Sequence, residues 1–398
     1  MHKIKEDIYW AGYVDWDLRV FHGYSTPSGS SYNAYLILDE KPTLIDTVKY
    51  YGFEEMLRRI REVIDPARIK YIISNHTEMD HSGSIERLLE NCPSAEVVCS
   101  PQGAEGLKRH FFPGNQPDGK NWNFKVVRTG DVLNIGKRQL KFFLMPMVHW
   151  PDSMATYSEQ DKILFPNDAF GQHYASFERF ADEVGLDIVY REAAKYYGNI
   201  VMPFGAQVLK VLEAILPLEK EMICPSHGLI WRRKEDLEGI IHLYRKWAQH
   251  ETEKRVIIVY DTMWHSTEKM AMALSRFLEQ ENLPVKIMNL QNTHISDVVA
   301  EIVSSRAVLF GSPMLNNRIL PTMASLLMYL KGLKPQKRLA LTFGSYGWAT
   351  VGFKEFEDSI REAGFEIMTE GRYIKFVPQE KDLQDLAQWA GAIASALR

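Results

Sequence analysis

The second part of the sequence alternates regularly between apolar, strand-like runs and helical segments, and this alternation constrains the fold more than any other feature. The predicted strands are 256–260, 285–290, 307–311, 339–343 and 366–373. The predicted helices lie near 267–281, 295–305, 320–333, 352–363 and 383–397. Five consecutive strand–helix units of this kind predict a doubly wound parallel sheet.

The first 250 residues show a less regular pattern. Strands are predicted at 8–14, 35–38, 43–46, 69–73, 96–99, 124–129, 139–145 and 162–165, and helices at 52–63, 84–91 and 235–250. This irregular mixture favours a mixed sheet layered with helices. Because the pattern changes near 249–254, we expect two domains, 1–250 and 251–398, which a chain of 398 residues is long enough to form.

Composition excludes several classes of protein. The net charge of −4 provides no basic surface for nucleic acid, so no nucleic-acid partner is expected. No secretory signal and no apolar run of about 18 residues is present, so we expect no membrane span and a cytoplasmic protein. The three cysteines form no C-x-x-C pair, which argues against disulfides, thiolate zinc sites, iron–sulfur clusters and a fused rubredoxin.

A dense cluster of metal-binding side chains follows the apolar run 69–73. His76, Glu78, Asp80 and His81 form the pattern H-x-E-x-D-H. Imidazoles and carboxylates together bind zinc, iron or manganese, and each added carboxylate favours iron over zinc. The cluster therefore predicts a metal site, with iron as the preferred metal. The alternative is a polar loop whose histidines are solvated.

Three more candidate ligands share the sequence context of His76. His149, Asp168 and His227 each follow an apolar run and precede a turn. Since strand ends line one edge of a sheet in a layered fold, we expect these side chains to converge with the cluster at 76–81. Four neutral imidazoles and three carboxylates leave positive charge on two iron ions, which hydroxide or a reduced oxygen species can balance.

The order of these residues resembles the metallo-β-lactamase superfamily, with Glu78 in place of the usual second histidine. Together with the flavodoxin-like second half, it is similar to the flavodiiron proteins over essentially the whole chain. The resemblance implies a metallo-β-lactamase-like αββα sandwich followed by a flavodoxin-like doubly wound parallel sheet. It assigns His76, Glu78 and His149 to one iron, Asp80, His81 and His227 to the other, and Asp168 to both. It also implies that His173 and Tyr197 offer protons or hydrogen bonds to a bound gas.

The second half carries three loops typical of a flavin site. A hydroxyl-rich loop precedes the first helix, where backbone amides can bind a phosphate. No G-x-G-x-x-G fingerprint is present, so FMN is predicted rather than NAD. FMN lies across the carboxyl ends of the strands in such a fold. The predicted contacts are Thr262, Met263, Trp264, His265, Ser266, Thr267, Ser312, Pro313, Met314, Asn316, Asn317, Ser345, Tyr346, Gly347 and Trp348.

The resemblance implies an oxidoreductase that reduces O2 to water, NO to N2O, or both, at a non-haem site of two Fe, with electrons relayed through FMN. It implies a head-to-tail homodimer or a dimer of such dimers, with Trp150 near the partner's flavin. The electron donor is expected to be rubredoxin or another small carrier. Two alternatives remain open: a dizinc hydrolase fused to a flavodoxin domain, and an electron carrier or redox sensor whose metal is structural.

Overall fold

The computed structural model describes residues 1–112 and 122–398, which divide into two compact units. Unit 1 comprises residues 1–21, 26–193 and 206–245. Unit 2 comprises residues 246–398 together with two short segments, 22–25 and 194–205. The predicted boundary between residues 250 and 251 stays a prediction.

The strands and helices of the first 250 residues follow in chain order. The strands are β1 (His2–Lys5), β2 (Ile8–Trp10), β3 (Tyr13–Asp15), β4 (Val20–Phe21), β5 (Tyr24–Ser25), β6 (Ser30–Tyr32), β7 (Tyr35–Ile37), β8 (Thr43–Ile45), β9 (Tyr71–Ile73), β10 (Glu96–Cys99), β11 (Asn123–Val126), β12 (Val132–Asn134), β13 (Gln139–Leu144), β14 (Met154–Ser158), β15 (Ile163–Phe165) and β16 (Met222–Ile223). The helices are α1 (Phe53–Arg61), α2 (Met79–Ser82), α3 (Ile85–Asn91), α4 (Pro101–Phe111), α5 (Ala181–Val184), α6 (Leu186–Tyr196), α7 (Gly205–Ile215) and α8 (Lys234–Ala248). A π-helical turn, Tyr197–Val201, follows α6.

Two sheets form the centre of unit 1. The larger has the strand order β1-β2-β7-β8-β9-β10-β11, and the smaller has the order β12-β13-β14-β15-β16. Both contribute to one buried core, in which Ile37 and Ile73 of the larger sheet pack with Phe142 and Ile163 of the smaller. In the central strands β7, β8 and β9 the alternate residues, such as Leu44, are buried as well, so both faces of the sheet are covered there. Two packed sheets with helices in the same unit agree with the predicted sandwich.

Most predicted elements of unit 1 are present, but one strand is divided, one loop is a helix, and some elements were missed. The predicted strand 8–14 is two strands, β2 and β3, and Gly12 lies between them, where a side chain would meet the carbonyl oxygen of Tyr32 at 2.3 Å. The residues Met79–Ser82, expected to be loop, form the short helix α2. Among the elements that were not predicted are the strand β14 and the helices α4, α6 and α7.

Unit 2 contains a sheet that is parallel throughout its main path. The strands are β17 (Glu253–Tyr260), β18 (Val285–Asn289), β19 (Ser305–Gly311), β20 (Met314–Leu315), β21 (Arg318–Ile319), β22 (Arg338–Tyr346), β23 (Phe365–Ile367) and β24 (Arg372–Lys375). The helices are α9 (Ser266–Gln280), α10 (Ile295–Ile302), α11 (Pro321–Leu333), α12 (Gly352–Glu362) and α13 (Glu380–Leu397). The order β18-β17-β19-β22-β23 is the flavodoxin-like order, which confirms the expected flavodoxin-like parallel sheet.

The last predicted strand, 366–373, is divided into β23 and β24. Both pair with the long strand β22, β23 near its start and β24 near its end. Between them the backbone N–H of Gly371 donates to Glu357, and the carbonyl of Glu370 accepts from the indole of Trp389. Side chains therefore satisfy the backbone where the sheet hydrogen bonds stop.

Among the helices of residues 1–112 and 122–398, none combines the length and the apolar character needed to cross a membrane.

Candidate metal centre and flavin pocket

The seven predicted ligands lie in unit 1 and form two groups; five follow strand ends, and Asp80 and His81 lie on the short helix α2. His76 and Glu78 follow β9, His149 follows β13, Asp168 follows β15, and His227 follows β16. Because the carboxyl ends of these strands meet at one edge of the two sheets, their side chains converge. The first group is His76, Glu78, His149 and Asp168, and the second is Asp80, His81 and His227. Within each group the candidate ligand atoms lie within 4.8 Å of one another.

The distances in the first group fit ligands around one metal ion. Glu78 Oε2 lies 3.3 Å from His76 Nε2 and 3.4 Å from His149 Nε2. Asp168 Oδ2 lies 3.4 Å from His149 Nε2. Ligand atoms at about 2.1 Å from a metal, at tetrahedral to octahedral angles, are separated by about 3.0–3.4 Å. The group can therefore hold a metal ion with little movement.

The second group has the same character. Asp80 Oδ2 lies 3.1 Å from His227 Nε2 and 3.4 Å from His81 Nε2. Neither carboxylate oxygen of the buried Asp80 accepts a well-oriented hydrogen bond from the described residues, which is costly for a carboxylate unless a cation binds it.

Asp168 connects the two groups with different oxygens. Its Oδ2 faces the first group, while its Oδ1 lies 3.1 Å from His81 Nε2 and 3.4 Å from His227 Nε2. The hydroxyl of Ser226 donates to Oδ1 at 3.0 Å. One carboxylate that offers an oxygen to each group is the arrangement of a bridging ligand in a two-metal site.

The electrostatics of the cluster favour positive charge. Burial alone would lower the pKa of the His81 imidazole, but the carboxylates of Asp80 and Asp168 raise it to about 9. Burial would raise the pKa of Asp168, yet the neighbouring His81 and His149 hold it well below its usual range. The buried carboxylates thus create a negative potential that protons or metal ions can neutralise.

Hydrogen bonds from outside the ligand set orient the imidazoles. His227 Nδ1–H donates to the carbonyl of Ser31 at 2.8 Å, which leaves Nε2 for a metal. His76 Nδ1 lies 2.9 Å from Asp152 Oδ2, which also accepts from the backbone N–H of Thr77 at 2.7 Å. Sequence reasoning missed Asp152, although it follows the His149 turn by three residues.

Asp46 supports the site without joining either group. Its backbone is left-handed, with a φ of 56°. Its carboxylate accepts from the backbone and side-chain N–H groups of Asn75 and from the side chain of Asn167. Asp46 thereby ties the loop before His76 to the loop before Asp168.

The first group lies nearer to solvent than the second. The side chains of Glu78 and His149 are 12% and 13% exposed, whereas Asp80, His81 and His227 are almost fully buried. Trp150 lies beside this opening, with its ring centroid 4.9 Å from that of His76. A small molecule would therefore approach the cluster from the side of Glu78 and His149.

The two residues expected to offer protons occupy different units. His173 belongs to unit 1, where its ring centroid lies 4.7 Å from that of His227 and its Nδ1 lies 2.6 Å from the Ser30 hydroxyl. Tyr197 belongs to unit 2, where it begins the π-helical turn and packs on Trp247. The roles of both residues stay predictions.

Unit 2 contains a cavity of ≈ 620 Å³ at the carboxyl ends of β17, β19 and β22. This volume falls in the roughly 300–1,000 Å³ range of small-molecule sites. Trp264 and Trp348 line the cavity and are 86% and 89% exposed, so two large aromatic side chains are available to a planar ligand. Gly344, within β22, permits a close approach of the loop after β19, because a side chain there would meet the Ser312 carbonyl oxygen at 2.0 Å.

Eleven of the fifteen predicted flavin contacts line this cavity, namely Met263, Trp264, Ser266, Pro313, Met314, Asn316, Asn317, Ser345, Tyr346, Gly347 and Trp348. The other four, Thr262, His265, Thr267 and Ser312, do not. Thr267 is buried, and its hydroxyl oxygen lies 3.2 Å from that of Ser345, so it contacts a residue that lines the cavity without lining the cavity itself.

Four residues that line the cavity were not predicted: Leu315, Ala349, Phe376 and Val377. Phe376 and Val377 directly follow β24. The rule that ligands bind at the carboxyl ends of parallel strands would have found them, had the last strand been placed correctly.

Comparison with known proteins agrees with both halves of this description. The family model described as "ODP family beta lactamase" matches residues 31–228, and the flavodoxin model matches residues 258–389. A protein named "Nitric oxide reductase" from Moorella thermoacetica is 42% identical, with 99% of this chain and 98% of that protein covered.

Two solved structures resemble the whole chain. The rubredoxin oxygen:oxidoreductase of Desulfovibrio gigas is 39% identical with a TM-score of 0.95, covering 99% of this chain and 98% of its own. The flavodiiron protein of Giardia intestinalis is 35% identical with a TM-score of 0.94, covering 100% of this chain and 98% of its own. Similarity at this level over both units, together with the two ligand groups and the flavodoxin-like sheet, shows that the chain belongs to the flavodiiron protein family.

Proposed function

We propose that this protein is a flavodiiron oxidoreductase that reduces O2 to water, NO to N2O, or both, with electrons supplied through FMN. The observation that carries the proposal is Asp168, which offers one oxygen to each of two ligand groups. Two iron ions can change oxidation state by one electron each, and FMN can accept two, which together suit the reduction of a small gas.

The residues of unit 1 would hold the metal ions and leave one side accessible. His76, Glu78 and His149 would bind one iron, and Asp80, His81 and His227 the other, with Asp168 shared. Glu78 distinguishes this set from an all-histidine zinc site, because its carboxylate adds hard oxygen and negative charge. We propose that His173, beside His227, contributes hydrogen bonds near the bound gas.

The cavity of unit 2 would hold FMN. Ser266 at the start of α9 can offer a hydroxyl and a backbone N–H to a phosphate. Trp348 and Tyr346 can contact the flavin ring, and the Asn316–Asn317 loop can offer polar groups to its edge. An apolar cavity with a few polar groups is typical of a cofactor site.

The electron donor is proposed to be a small carrier of the rubredoxin type, in a cytoplasmic setting. The name of the Desulfovibrio relative pairs rubredoxin with oxygen reduction, and the name of the Moorella relative specifies nitric oxide reduction. Both gases would use the same ligands, so both belong in the test.

We further propose a head-to-tail homodimer, in which the flavin of one subunit serves the metal site of the other. Support comes from the exposed aromatic side chains at both sites: Trp150 beside the metal ligands, and Trp264 and Trp348 at the flavin cavity. Exposed aromatic groups of this kind are frequent in protein interfaces.

Co-expression of two defective variants tests the dimer. Asp168→Ala would disable the metal site, and Ser266→Asp would place a negative charge where the flavin phosphate binds. Each variant alone should be inactive. Mixed head-to-tail dimers should recover part of the activity, because one intact flavin then faces one intact metal site. No recovery in verified mixed dimers would contradict the arrangement.

The function itself is tested with protein loaded with iron and FMN and reduced by rubredoxin. Electrodes for O2 and for NO should record consumption of at least one gas, and Asp168→Ala should abolish it. Asp161→Asn, which changes another buried aspartate of unit 1, serves as the control. Hydrolysis by a zinc-loaded sample without gas consumption would instead support the dizinc hydrolase.

A further inference from the structure

A chain of three tyrosines runs from the metal ligands to the surface of unit 1. The ring of Tyr32 lies 5.7 Å from that of His227, measured between centroids. The next steps are 6.2 Å from Tyr32 to Tyr51 and 5.2 Å from Tyr51 to Tyr50. Tyr32 is fully buried, Tyr51 is 42% exposed and Tyr50 is 62% exposed. Neighbouring aromatic rings therefore connect a predicted iron ligand to solvent.

A buried carboxylate is placed to accept the protons of this chain. Asp15 Oδ2 accepts from the Tyr51 hydroxyl at 2.5 Å and from the Tyr32 hydroxyl at 3.3 Å. The two hydroxyl oxygens lie 3.1 Å apart. Removal of an electron from a phenol makes its O–H strongly acidic, so one-electron oxidation of tyrosine becomes easy only where a base can take the proton. Asp15 is such a base.

The positive charge of Lys49 makes oxidation of these tyrosines depend on loss of the phenolic proton. Its ammonium lies 5.3 Å from the ring centroid of Tyr51 and 5.8 Å from that of Tyr32. This positive charge disfavours a radical cation on either ring, whereas it tolerates a neutral tyrosyl radical. Oxidation along the chain is therefore favourable only when the phenolic proton moves to Asp15.

We propose that Tyr32, Tyr51 and Tyr50 form a one-electron exit that carries oxidising equivalents from the metal site to the surface, with Asp15 as the proton acceptor. This inference rests on the proposed function, because oxygen reduction supplies the oxidant. In the step, Tyr51 would lose one electron to the metal ions that the ligand groups hold, and its phenolic proton would bond to Asp15. A soluble hydrogen-atom donor such as ascorbate then returns one proton and one electron to the Tyr51 oxygen, and Asp15 releases its proton to solvent.

The need for an exit follows from the electron count. Reduction of O2 to water takes four electrons, and two reduced irons without a reduced flavin hold only two. When O2 reacts with such a subunit, two of the four electrons are missing. The nearest oxidisable side chains would then lose electrons and be damaged. A path to the surface would allow an external reductant to supply the missing electrons.

Trp150 is the competing route, since its ring lies 4.9 Å from that of His76 and is partly exposed. In the part of the chain that the structure describes, no hydrogen bond joins its indole N–H to a carboxylate, whereas the Tyr51 hydroxyl donates to Asp15. Both routes lie close to metal ligands and reach the surface, but only the tyrosine chain has a carboxylate beside it to accept the proton.

The test uses protein loaded with iron and FMN in which the irons are reduced and the flavin is oxidised. After mixing with O2 and rapid freezing, electron paramagnetic resonance should detect a tyrosyl radical. Tyr51→Phe and Asp15→Asn should each reduce that signal several-fold and increase the activity lost per turnover. Tyr190→Phe, a tyrosine of unit 1 outside the chain, should behave as wild type.

The result that would overturn the proposal is a radical yield and an inactivation rate in Tyr51→Phe equal to those of wild type, or a radical located on Trp150. Gas consumption is recorded in the same samples, so a missing radical with normal consumption rejects the exit path alone. If the samples consume no gas, the tyrosines are instead oxidised by a flash-activated external oxidant, and the radical that forms tests the path. A radical that depends on Asp15 then supports the path, and one that does not rejects it.

Discussion

Asp152 holds the imidazole of His76 through a hydrogen bond of 2.9 Å between Oδ2 and Nδ1. The same oxygen accepts from the backbone N–H of Thr77 at 2.7 Å, so one carboxylate fixes both the ring and the loop that carries it. Burial would raise the pKa of Asp152, but its hydrogen bond and charge interaction with His76 lower it. The ionised carboxylate thus directs Nε2 of His76 toward the other ligands.

We expect Asp152→Asn to weaken iron binding by about 10- to 100-fold, since changes in the hydrogen-bond partners of metal-bound histidines have effects of this size. The amide cannot accept from both His76 and Thr77 in the same way. Competition with a chelator measures the affinity. The control is Asp161→Asn, which removes a buried carboxylate that pairs with Arg138 and contacts no ligand. Equal iron affinity in Asp152→Asn and wild type would contradict the role of Asp152.

Glu78 is expected to determine which metal binds. Its Oε2 lies between His76 and His149, so it supplies the carboxylate of the first group besides Asp168. Glu78→His should shift the metal content from iron toward zinc and abolish gas consumption, because it removes a hard, charged ligand. Metal analysis after growth with both metals supplies the measurement, and Glu78→Gln separates charge from size. A Glu78→His protein that retains iron and activity would reject this explanation.

The ligand set could be predicted from sequence because its signals are local. His76, His149, Asp168 and His227 each follow an apolar strand, and strand ends meet at a sheet edge whatever the details of the fold. Asp152 could not be recognised in this way, since its partner His76 lies far away in the sequence. Only the packing of the two sheets brings β9 and the His149 turn together.

The flavin cavity was also predicted only in part, because part of it depends on contacts between residues that are distant in the sequence. The loops after β17, β19 and β22 follow long apolar strands and were predicted. The segment after β24 was not, because β23 and β24 read as one continuous strand. Where the strand is interrupted, the backbone N–H of Gly371 donates to Glu357 of α12, a residue 14 positions earlier in the chain. Periodicity within a segment carries no information on such a contact.

Trp348 is expected to contribute to flavin binding by contact with the ring. Stacking of a planar heterocycle on an aromatic side chain contributes about 1–3 kcal/mol, so Trp348→Ala should raise the Kd for FMN by about 5- to 150-fold. Quenching of FMN fluorescence by the apoprotein measures the Kd. Trp16→Ala removes another exposed tryptophan, in unit 1, and should leave the Kd unchanged. An unchanged Kd in Trp348→Ala would place the flavin elsewhere.

His250 should make unit 2 less stable in weak acid. Burial, together with the charges of Arg338 and Lys337, lowers the pKa of His250 to about 4, and its Nδ1 lies 3.4 Å from Nη1 of Arg338. The unfolded chain binds this proton near the ordinary value of 6.5, so stability is complete above pH 6.5 and falls as the pH drops toward 4. After a discount for partial exposure, the loss is about 1–2 kcal/mol.

The glutamine variant isolates this contribution, since every other titrating group is shared with wild type. Between pH 6.5 and pH 4.5, the temperature at which FMN fluorescence is released should fall less in His250→Gln than in wild type, because glutamine gains no charge beside Arg338. His242→Gln, which changes an exposed histidine, should follow wild type. Parallel curves for His250→Gln and wild type would mean that His250 accepts its proton in the folded protein as readily as in the unfolded chain.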